Sequence, residues 1–289
     1  MRIYQNENFP RERDLYGADG VHLIDCAFDG AEDGESALKE AKNVVLERCF
    51  MNLRYPLWHT DHAELDGVTM TQLCRAAIWY ARNVFIKNSK LHGIKALREC
   101  EAVEAIDCDI RSPEFGWKSG NITLRGGCVE SEYGFFMARD LKLDGVSFRG
   151  KYSFQYVERA VIENCTLETK DAFWHSKDVT VKNCIVRGEY LGWYSENLTL
   201  INCKIIGTQP LCYCKGLKLI DCETENADLA FEYSEADVTV RGEILSIKNP
   251  KSGRIVADRI LEVIFTEDSK YPCRCEVCER NARNFKYCV

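Results

Sequence analysis

Apolar and polar residues alternate in short segments that recur along the chain. Alternation with a period of two is typical of β-strands. From Val84 to Leu217 the segments begin 19 residues apart, and the other intervals differ by a few residues. The segments begin at Val21, Val44, Ala63, Val84, Val103, Ile122, Leu141, Ala160, Val179, Leu198, Leu217 and Val238.

The fifth residue of each segment is Asn, Asp or Gly, with Arg48 as the exception, and the sixth is often Cys. Asn, Asp and Gly tolerate a left-handed backbone, so each repeat is predicted to be strand, αL turn, strand. The spacings of leucine-rich and helical repeats do not occur. The pattern therefore predicts an all-β fold, a single-stranded parallel β-solenoid with about 19 residues and three short strands per coil, and about eleven to twelve coils.

The ends of a solenoid expose strand edges and need covers. We expect residues 1-270 to form the solenoid, with residues 1–20 and an interrupted first coil as an N-terminal cap. Residues 271-289 are predicted to be a Cys-rich C-terminal cap or tail.

Several phrases carry a family resemblance: GESALKEAKN, LRYPLWH, SPEFGW, TKDAFWH and NPKSGRIVAD. They resemble domain of unknown function 3737, a bacterial family, over nearly the whole chain. The coil, the Asn turn and the inward stacks resemble the pectin-lyase-like superfamily, which implies a right-handed β-helix and enzymes that work on polysaccharides along one face. The catalytic phrases of polygalacturonases and pectate lyases do not occur, and fold analogy alone does not make an enzyme.

The charge balance narrows the choice of partners. The chain has 38 Lys and Arg against 45 Asp and Glu, a net charge of −7, so nucleic acid and an anionic membrane surface are disfavoured. The first residues show no apolar signal segment, and no apolar stretch is long enough to span a bilayer. We expect a cytoplasmic protein.

Two groups stand out among the sixteen cysteines. Seven are expected to form an inward column of small apolar side chains rather than a metal or redox ladder: Cys26, Cys49, Cys108, Cys165, Cys184, Cys203 and Cys222. Four lie in the tail: Cys273, Cys275, Cys278 and Cys288. These four could bind zinc, although no standard finger has this spacing, or could pack on a short helix over residues 276–286. No other cofactor is expected.

All five tryptophans occupy one column of the predicted third strand. Its neighbouring column, which includes Leu57 and Phe173, is apolar and should point inward, so the tryptophans should point outward. A row of exposed rings suits the stacking of sugar rings. The alternative is that the C-terminal segment or a second subunit covers them in a homo-oligomer. The candidate ligand-binding aromatics are Trp58, Trp79, Trp117, Trp174, Trp193 and Tyr194.

A polar column beside the aromatic one supplies the candidate chemistry. It contains Arg54, Arg75, Lys95, Glu114, Glu132, Lys151, Lys170, Asp171 and Glu189. The column is either a solvated edge with ion pairs or a substrate contact, for which Arg54, Arg75, Glu114 and Glu132 are the binding candidates.

Asp171 and Glu189 lie one coil apart, so their carboxyl groups should be roughly 5 to 7 Å apart, the range used in glycoside hydrolysis. We assign them as acid and base, with Lys170, Lys151 and His175 orienting the substrate. A lyase would instead use Lys151 or Lys170 as its base.

Two functions therefore compete. The first is a carbohydrate-binding protein with a carbohydrate or glycoconjugate ligand, which could act as a glycoside hydrolase or lyase; whether it is an enzyme stays open. The second is a non-catalytic scaffold or oligomerisation protein whose aromatic face is an interface.

Overall fold

Two compact units make up the chain, Met1–Arg149 (unit 1) and Gly150–Val289 (unit 2). The computed structural model describes residues 1–30 and 36–280. The fold is an all-β parallel β-solenoid of about 14 turns with about 19 residues per turn, which confirms the predicted fold class. The described ranges contain no α-helix, and their one helical element is a 3-10 turn at Gln72–Cys74. None of the helical structure in those ranges could cross a membrane.

Unit 1 alternates longer and shorter strands. The longer strands pair in parallel from coil to coil, and the shorter ones form a second parallel ladder. The strands are β1 (Arg2–Gln5), β2 (Asp19–Ile24), β3 (Ala27–Phe28), β4 (Lys42–Glu47), β5 (Phe50–Met51), β6 (Asp61–Asp66), β7 (Thr69–Met70), β8 (Arg82–Lys87), β9 (Lys90–Leu91), β10 (Glu101–Ile106), β11 (Asp109–Arg111), β12 (Gly120–Arg125), β13 (Cys128–Ser131), β14 (Arg139–Asp144) and, at the boundary, β15 (Ser147–Gly150).

Unit 2 repeats this arrangement and then departs from it. Its pairing is also parallel, with β16 on β18, β17 on β19 and, near the end, β24 on β26. The strands are β16 (Glu158–Glu163), β17 (Thr166–Thr169), β18 (Lys177–Lys182), β19 (Ile185–Arg187), β20 (Thr199–Ile201), β21 (Lys204–Ile206), β22 (Leu217–Glu225), β23 (Glu235–Lys248), β24 (Ser252–Ala257), β25 (Arg259–Ile264) and β26 (Arg274–Glu279).

Equivalent residues of successive coils stack because the strands pair in register. Val44 aligns with Ala63, and Ala63 aligns with Val84. The inward members of each strand are almost fully buried, including Leu46 and Leu65. The predicted αL column is also confirmed: all twelve of its residues have φ between 50° and 85°, including Arg48 at 50°.

The third side of each coil differs from the prediction of a third strand. It consists of turns in which alternate residues have positive φ, such as Tyr55 at 58°, Leu57 at 60° and His59 at 54°. A strand needs an extended backbone at every residue, so this alternation curls the chain around the coil. Only isolated bridges form there, for example from Trp79 to Arg98. The inward column is nevertheless confirmed, because Leu57 and Phe173 are buried.

Strand pairing extends beyond the ends that the repeat predicts. β1 pairs with β2 inside the predicted N-terminal cap, and β26 pairs with β24 beyond residue 270. The turn count therefore exceeds eleven to twelve, because terminal strands join the stack without the repeat phrase. The tail helix predicted from residue 276 is wrong for its first residues, since Arg274–Glu279 is a strand; residues 281–289 lie outside the described ranges.

Candidate functional site

The tryptophans of unit 1 stack on their neighbours along the solenoid. The rings of Trp58 and Trp79 are 5.1 Å apart at their centroids and 3° from parallel. The next coil carries Arg98, whose guanidinium lies 5.0 Å from the Trp79 ring and 5.2 Å from the Trp117 ring. Arg98 thus lies between two indoles in a favourable cation–π geometry. The aromatic pattern of the sequence does not indicate this residue, because Arg98 is not aromatic.

The indole N–H groups are also engaged. Trp58 Nε1 donates to the carbonyl oxygen of Ala76 at 2.6 Å, and Trp79 Nε1 donates to that of Lys95 at 2.5 Å. Trp117 Nε1 donates to the Tyr133 carbonyl at 2.6 Å. With their N–H groups bonded and their faces covered by neighbouring rings, these half-buried side chains hold successive coils together.

Unit 2 shows the same arrangement at Trp174 and Trp193, whose rings are 5.3 Å apart and 4° from parallel. Their N–H groups donate to the carbonyl oxygens of Tyr190 and Gln209. Between these coils the tryptophans offer no open ring face, and sugar binding by the tryptophan column stays a prediction. Coils stack at about 4.8 Å, close to the separation of stacked rings, so equivalent indoles contact each other and leave no gap for a ligand.

A second, more exposed aromatic column follows the tryptophans in unit 2. The His175 ring lies between Tyr156, at 4.9 Å, and Tyr194, at 5.0 Å, with nearly parallel planes. Tyr194 stacks in turn on Tyr213 at 4.7 Å and is 45% exposed. Tyr194 and His175 therefore present ring edges to solvent. In the described structure no hydrogen bond or ion pair joins His175 to Asp171.

Four of the five predicted catalytic residues lie close together in unit 2. Lys170 Nζ and Glu189 Oε2 form an ion pair at 2.9 Å, and Lys170 Nζ lies 5.0 Å from the Tyr190 ring centre. The Asp171 N–H donates to the Glu189 carbonyl oxygen at 3.0 Å. Asp171 is only 7% exposed. Lys151 completes the group through its charge, which acts on the Asp171 carboxyl.

A glycine determines how closely these coils approach. Gly188 precedes Glu189 and has φ of 154°, and a Cβ at this position would collide with the Thr169 carbonyl oxygen. Any other residue would push apart the coils that carry Lys170 and Glu189. The regular spacing of the coils brings side chains 19 residues apart to ion-pair distance, as it also does for Lys95 and Glu114.

Burial raises the pKa of the Asp171 carboxyl above its ordinary value of 3.8. The positive charges of Lys170 and Lys151 oppose this shift, and the negative charge of Glu189 adds to it. The ion pair with Glu189 raises the pKa of Lys170. The group therefore combines a carboxyl and a lysine whose pKa values are both raised.

The predicted binding residues of the polar column lie in unit 1. The Arg54 guanidinium is 5.7 Å from the Tyr55 ring centre, and Glu114 pairs with Lys95 at 3.2 Å. Arg75 and Glu132 are exposed. Glu114 thus fits the interpretation of a solvated edge with ion pairs.

The cysteine column is buried as predicted, and each thiol contacts backbone carbonyl oxygens. Cys49 Sγ lies 3.4 Å from the Leu23 carbonyl oxygen, and burial raises the pKa of this thiol to about 11. Protonated, buried thiols pack as small apolar groups.

Two of the four tail cysteines lie in the last strand. Cys275 and Cys278 are buried in β26, and burial raises the pKa of Cys275 to about 12. No group of three or more His, Cys, Asp or Glu side chains that could hold a metal ion occurs in residues 1–30 and 36–280. Cys288 lies outside those ranges, so zinc binding by Cys273, Cys275, Cys278 and Cys288 stays a prediction.

One outward thiol was not predicted. Cys128 is exposed on β13, with Sγ 3.5 Å from Asp109 Oδ1, and Asp109 Oδ2 lies 3.1 Å from His92 Nε2. Partial burial and Asp109 raise the pKa of the Cys128 thiol, which makes it a weak nucleophile. In the phrase GGCVES, Cys128 is the seventh residue of the repeat, whereas the Cys of other repeats is the sixth. This displacement is the sequence signal that could have indicated an outward thiol.

Comparisons with known proteins identify a family but not an activity. A family model described as "Protein of unknown function (DUF3737)" matches residues 2–278. A search of curated proteins gave no match.

Similar solved structures share little sequence with the chain. The A-module of an Azotobacter vinelandii mannuronan C-5 epimerase is 10% identical over 96% of this chain and 89% of its own, with a TM-score of 0.30. A plasmid-mediated fluoroquinolone resistance protein is 12% identical over 75% and 88%, with a TM-score of 0.22. Tailspike protein 3 of bacteriophage CBA120 is 10% identical over 91% and 47%, with a TM-score of 0.23. Function therefore has to be argued from the site itself.

Proposed function

The chain belongs to the family described as protein of unknown function DUF3737, and from its unit 2 site we propose that it binds a carbohydrate beside Asp171 and cleaves it by acid–base catalysis. The observation that carries the proposal is a nearly buried carboxyl whose pKa is raised, next to a second carboxylate and two lysines. Carboxyls whose pKa is shifted by burial and by specific charged neighbours are concentrated at functional sites.

Asp171 is suited to the role of general acid. A carboxylic acid whose pKa is raised can give its proton to the glycosidic oxygen as the bond breaks. Glu189 would take the proton of the attacking water. Its negative charge is near enough to raise the pKa of Asp171, as expected for a carboxyl pair that divides the acid and base roles.

The charge state of Lys170 favours hydrolysis over a lyase mechanism in which Lys170 is the base. A lysine that abstracts a sugar-ring proton must first be neutral. The ion pair with Glu189 raises the pKa of Lys170 and keeps it charged, so Lys170 is a poor base. A charged Lys170 can instead hold a hydroxyl or anionic group of the substrate in place, which leaves Lys151 as the base that a lyase would need.

The test measures turnover of oligosaccharides by the full chain and by Asp171→Asn and Glu189→Gln variants. Reducing ends report hydrolysis, and ultraviolet absorbance reports the unsaturated products of a lyase. Loss of a general acid or base should lower kcat by about 10² to 10⁴-fold. Glu225→Gln is the matched control. Glu225 Oε2 also forms an ion pair at 2.9 Å, with Lys204 Nζ, but Glu225 lies on a different coil from Asp171. If Asp171→Asn turned over substrate at the parent rate, the acid assignment would be wrong.

A second candidate function follows from the tryptophan stacks. Their rings cover each other and their N–H groups are bonded, which is the behaviour of a structural element. β1 also pairs only with β2 within the described residues, so its other edge could pair with another chain. We propose as the alternative a non-catalytic scaffold that forms homo-oligomers. Association that Ile3→Lys abolishes, in a protein without turnover, would favour it.

A further inference from the structure

One coil of unit 1 is longer than its neighbours. The segments at Ala63 and Val84 begin 21 residues apart, whereas 19 is usual. The additional residues form the 3-10 turn Gln72–Cys74, which begins where Thr71 Oγ1 accepts from the Leu73 N–H at 3.2 Å. The turn interrupts the regular stacking of side chains on this side of the coil.

Arg75 follows the turn in a strained backbone conformation, with φ of 27° and ψ of −64°. This lies outside the regions that L-residues normally occupy. Such strain persists only where the surrounding structure enforces it, and it is concentrated at ligand sites. The inserted turn is therefore followed by a cationic residue whose backbone is strained.

A pocket of about 210 Å³ opens beside the inserted turn. Tyr55, Trp79 and Ile94 supply its apolar and aromatic surface, and Arg75 and Lys95 supply two positive charges. Ligand pockets typically combine an apolar lining with a few convergent polar groups, and drug-sized ones occupy about 300 to 1,000 Å³. This smaller pocket suits a ligand of monosaccharide size.

The two cations differ in availability. Lys95 Nζ already pairs with Glu114 at 3.2 Å. Arg75 is exposed and makes no hydrogen bond, ion pair or ring contact through its side chain within residues 1–30 and 36–280. A guanidinium can bind a phosphate or a carboxylate through two parallel hydrogen bonds. The pocket therefore offers one available anion-binding group beside an aromatic wall.

We propose that this unit 1 pocket binds a sugar-sized organic anion. The phosphate or carboxylate of the ligand pairs with Arg75 and Lys95, and its ring packs against Tyr55, Ile94 and the edge of Trp79. The site uses none of the residues assigned to catalysis at Asp171, so it stands or falls separately from the proposed hydrolysis.

Isothermal titration calorimetry of the full chain tests the proposal with glucose 6-phosphate, glucuronate, glucose and inorganic phosphate. One or both charged sugars should bind, and Arg75→Gln should weaken that binding by about tenfold or more, since a charge-assisted bond contributes at least that much. The two charged sugars distinguish phosphate from carboxylate recognition. Arg82→Gln is the matched control, because Arg82 is also an exposed arginine of unit 1 but does not line the pocket.

Four results would overturn the proposal: no binding of either charged sugar, glucose binding as tightly as they do, inorganic phosphate binding as tightly as glucose 6-phosphate, or unchanged affinity in Arg75→Gln. Asp171→Asn provides the cross-check, because it should abolish turnover and leave this affinity unchanged. Failure of the pocket and failure of the hydrolase proposal can therefore be told apart.

Discussion

Asp171 combines a buried carboxyl with a left-handed backbone, at φ of 53°. Aspartate and asparagine tolerate this conformation better than most residues, so the position accepts either one sterically. Asp and Asn at position 171 therefore differ mainly in that only the Asp side chain binds and releases a proton. Since burial raises the pKa of the folded state, folding disfavours the ionised form of Asp171.

The sign of this linkage gives a stability prediction. The raised pKa contributes stability that is fully present below the unfolded value of 3.8 and is lost as the pH rises through the folded pKa. Asp171→Asn should therefore be more stable than the parent at neutral pH, and the difference should shrink below pH 3.8. Urea-unfolding midpoints measured at both pH values would check this. A variant that was less stable at neutral pH would mean that the ionised carboxylate is stabilised where it lies.

Arg48 adopts the backbone conformation of its column and pairs with a residue of the preceding coil. The repeat predicts an αL turn there although Arg is not a turn residue, and the structure has φ of 50°. Arg48 Nε and Nη2 donate to the two Asp25 carboxylate oxygens at 2.8 and 2.9 Å, in the preceding coil. The column thus determines the backbone conformation even where the residue type opposes it. The side-chain pairing could not be predicted, because the pattern gives no partner for an exception.

Along the elements, a column of buried hydroxyls complements the strand ladders. Ser119, Ser176 and Ser234 lie on the third side of their coils and are almost fully buried. Ser234 Oγ accepts from the Cys214 N–H at 2.9 Å and donates to the Leu211 carbonyl oxygen at 2.7 Å. The hydroxyls of Ser119 and Ser234 thus satisfy backbone N–H groups that the turns of the third side leave without a strand partner.

Removing the hydroxyl of Ser234 should leave the Cys214 N–H buried without a partner. We expect Ser234→Ala to lower the free energy of unfolding by about 1 to 3 kcal/mol. Ser176→Ala is the matched control in the same column, because Ser176 Oγ has no hydrogen-bond partner in the described structure. That variant should be as stable as the parent or slightly more stable. Equal losses in the two variants, measured by denaturant unfolding, would show that packing rather than hydrogen bonding is responsible.

The elements also show where pattern reasoning fails. Period-two alternation correctly separated the inward column of Leu57 from the outward column of Trp58, although the segment is a turn rather than a strand. Alternation gives the side to which a residue points, not what lies next to it. Whether an outward tryptophan meets solvent or another ring depends on the residue one coil away, and Arg98 completes the ladder without being aromatic.

For the whole molecule, the repeat predicted the solenoid because one structural unit is copied many times, so weak signals add up. The ends were harder, since β1 and β26 join the parallel pairing although they lack the phrase. The pocket beside Arg75 arises where the repeat is broken by two residues. The interval was visible in the sequence, but the 3-10 turn that opens the pocket depends on how the coil accommodates the insertion.

Ligand binding in the unit 1 pocket and an oligomer formed through the aromatic side predict different responses of tryptophan fluorescence. Trp79 lines the unit 1 pocket, so a charged sugar bound there should change the emission, because the polarity around the indole changes. The parent should respond to such a ligand, Arg75→Gln should not, and emission per molecule should stay constant on dilution. A scaffold whose aromatic side is an interface predicts the opposite, since dissociation would expose the outer edges of the rings. Emission that changes on dilution and ignores sugars would therefore favour the oligomer over the ligand site.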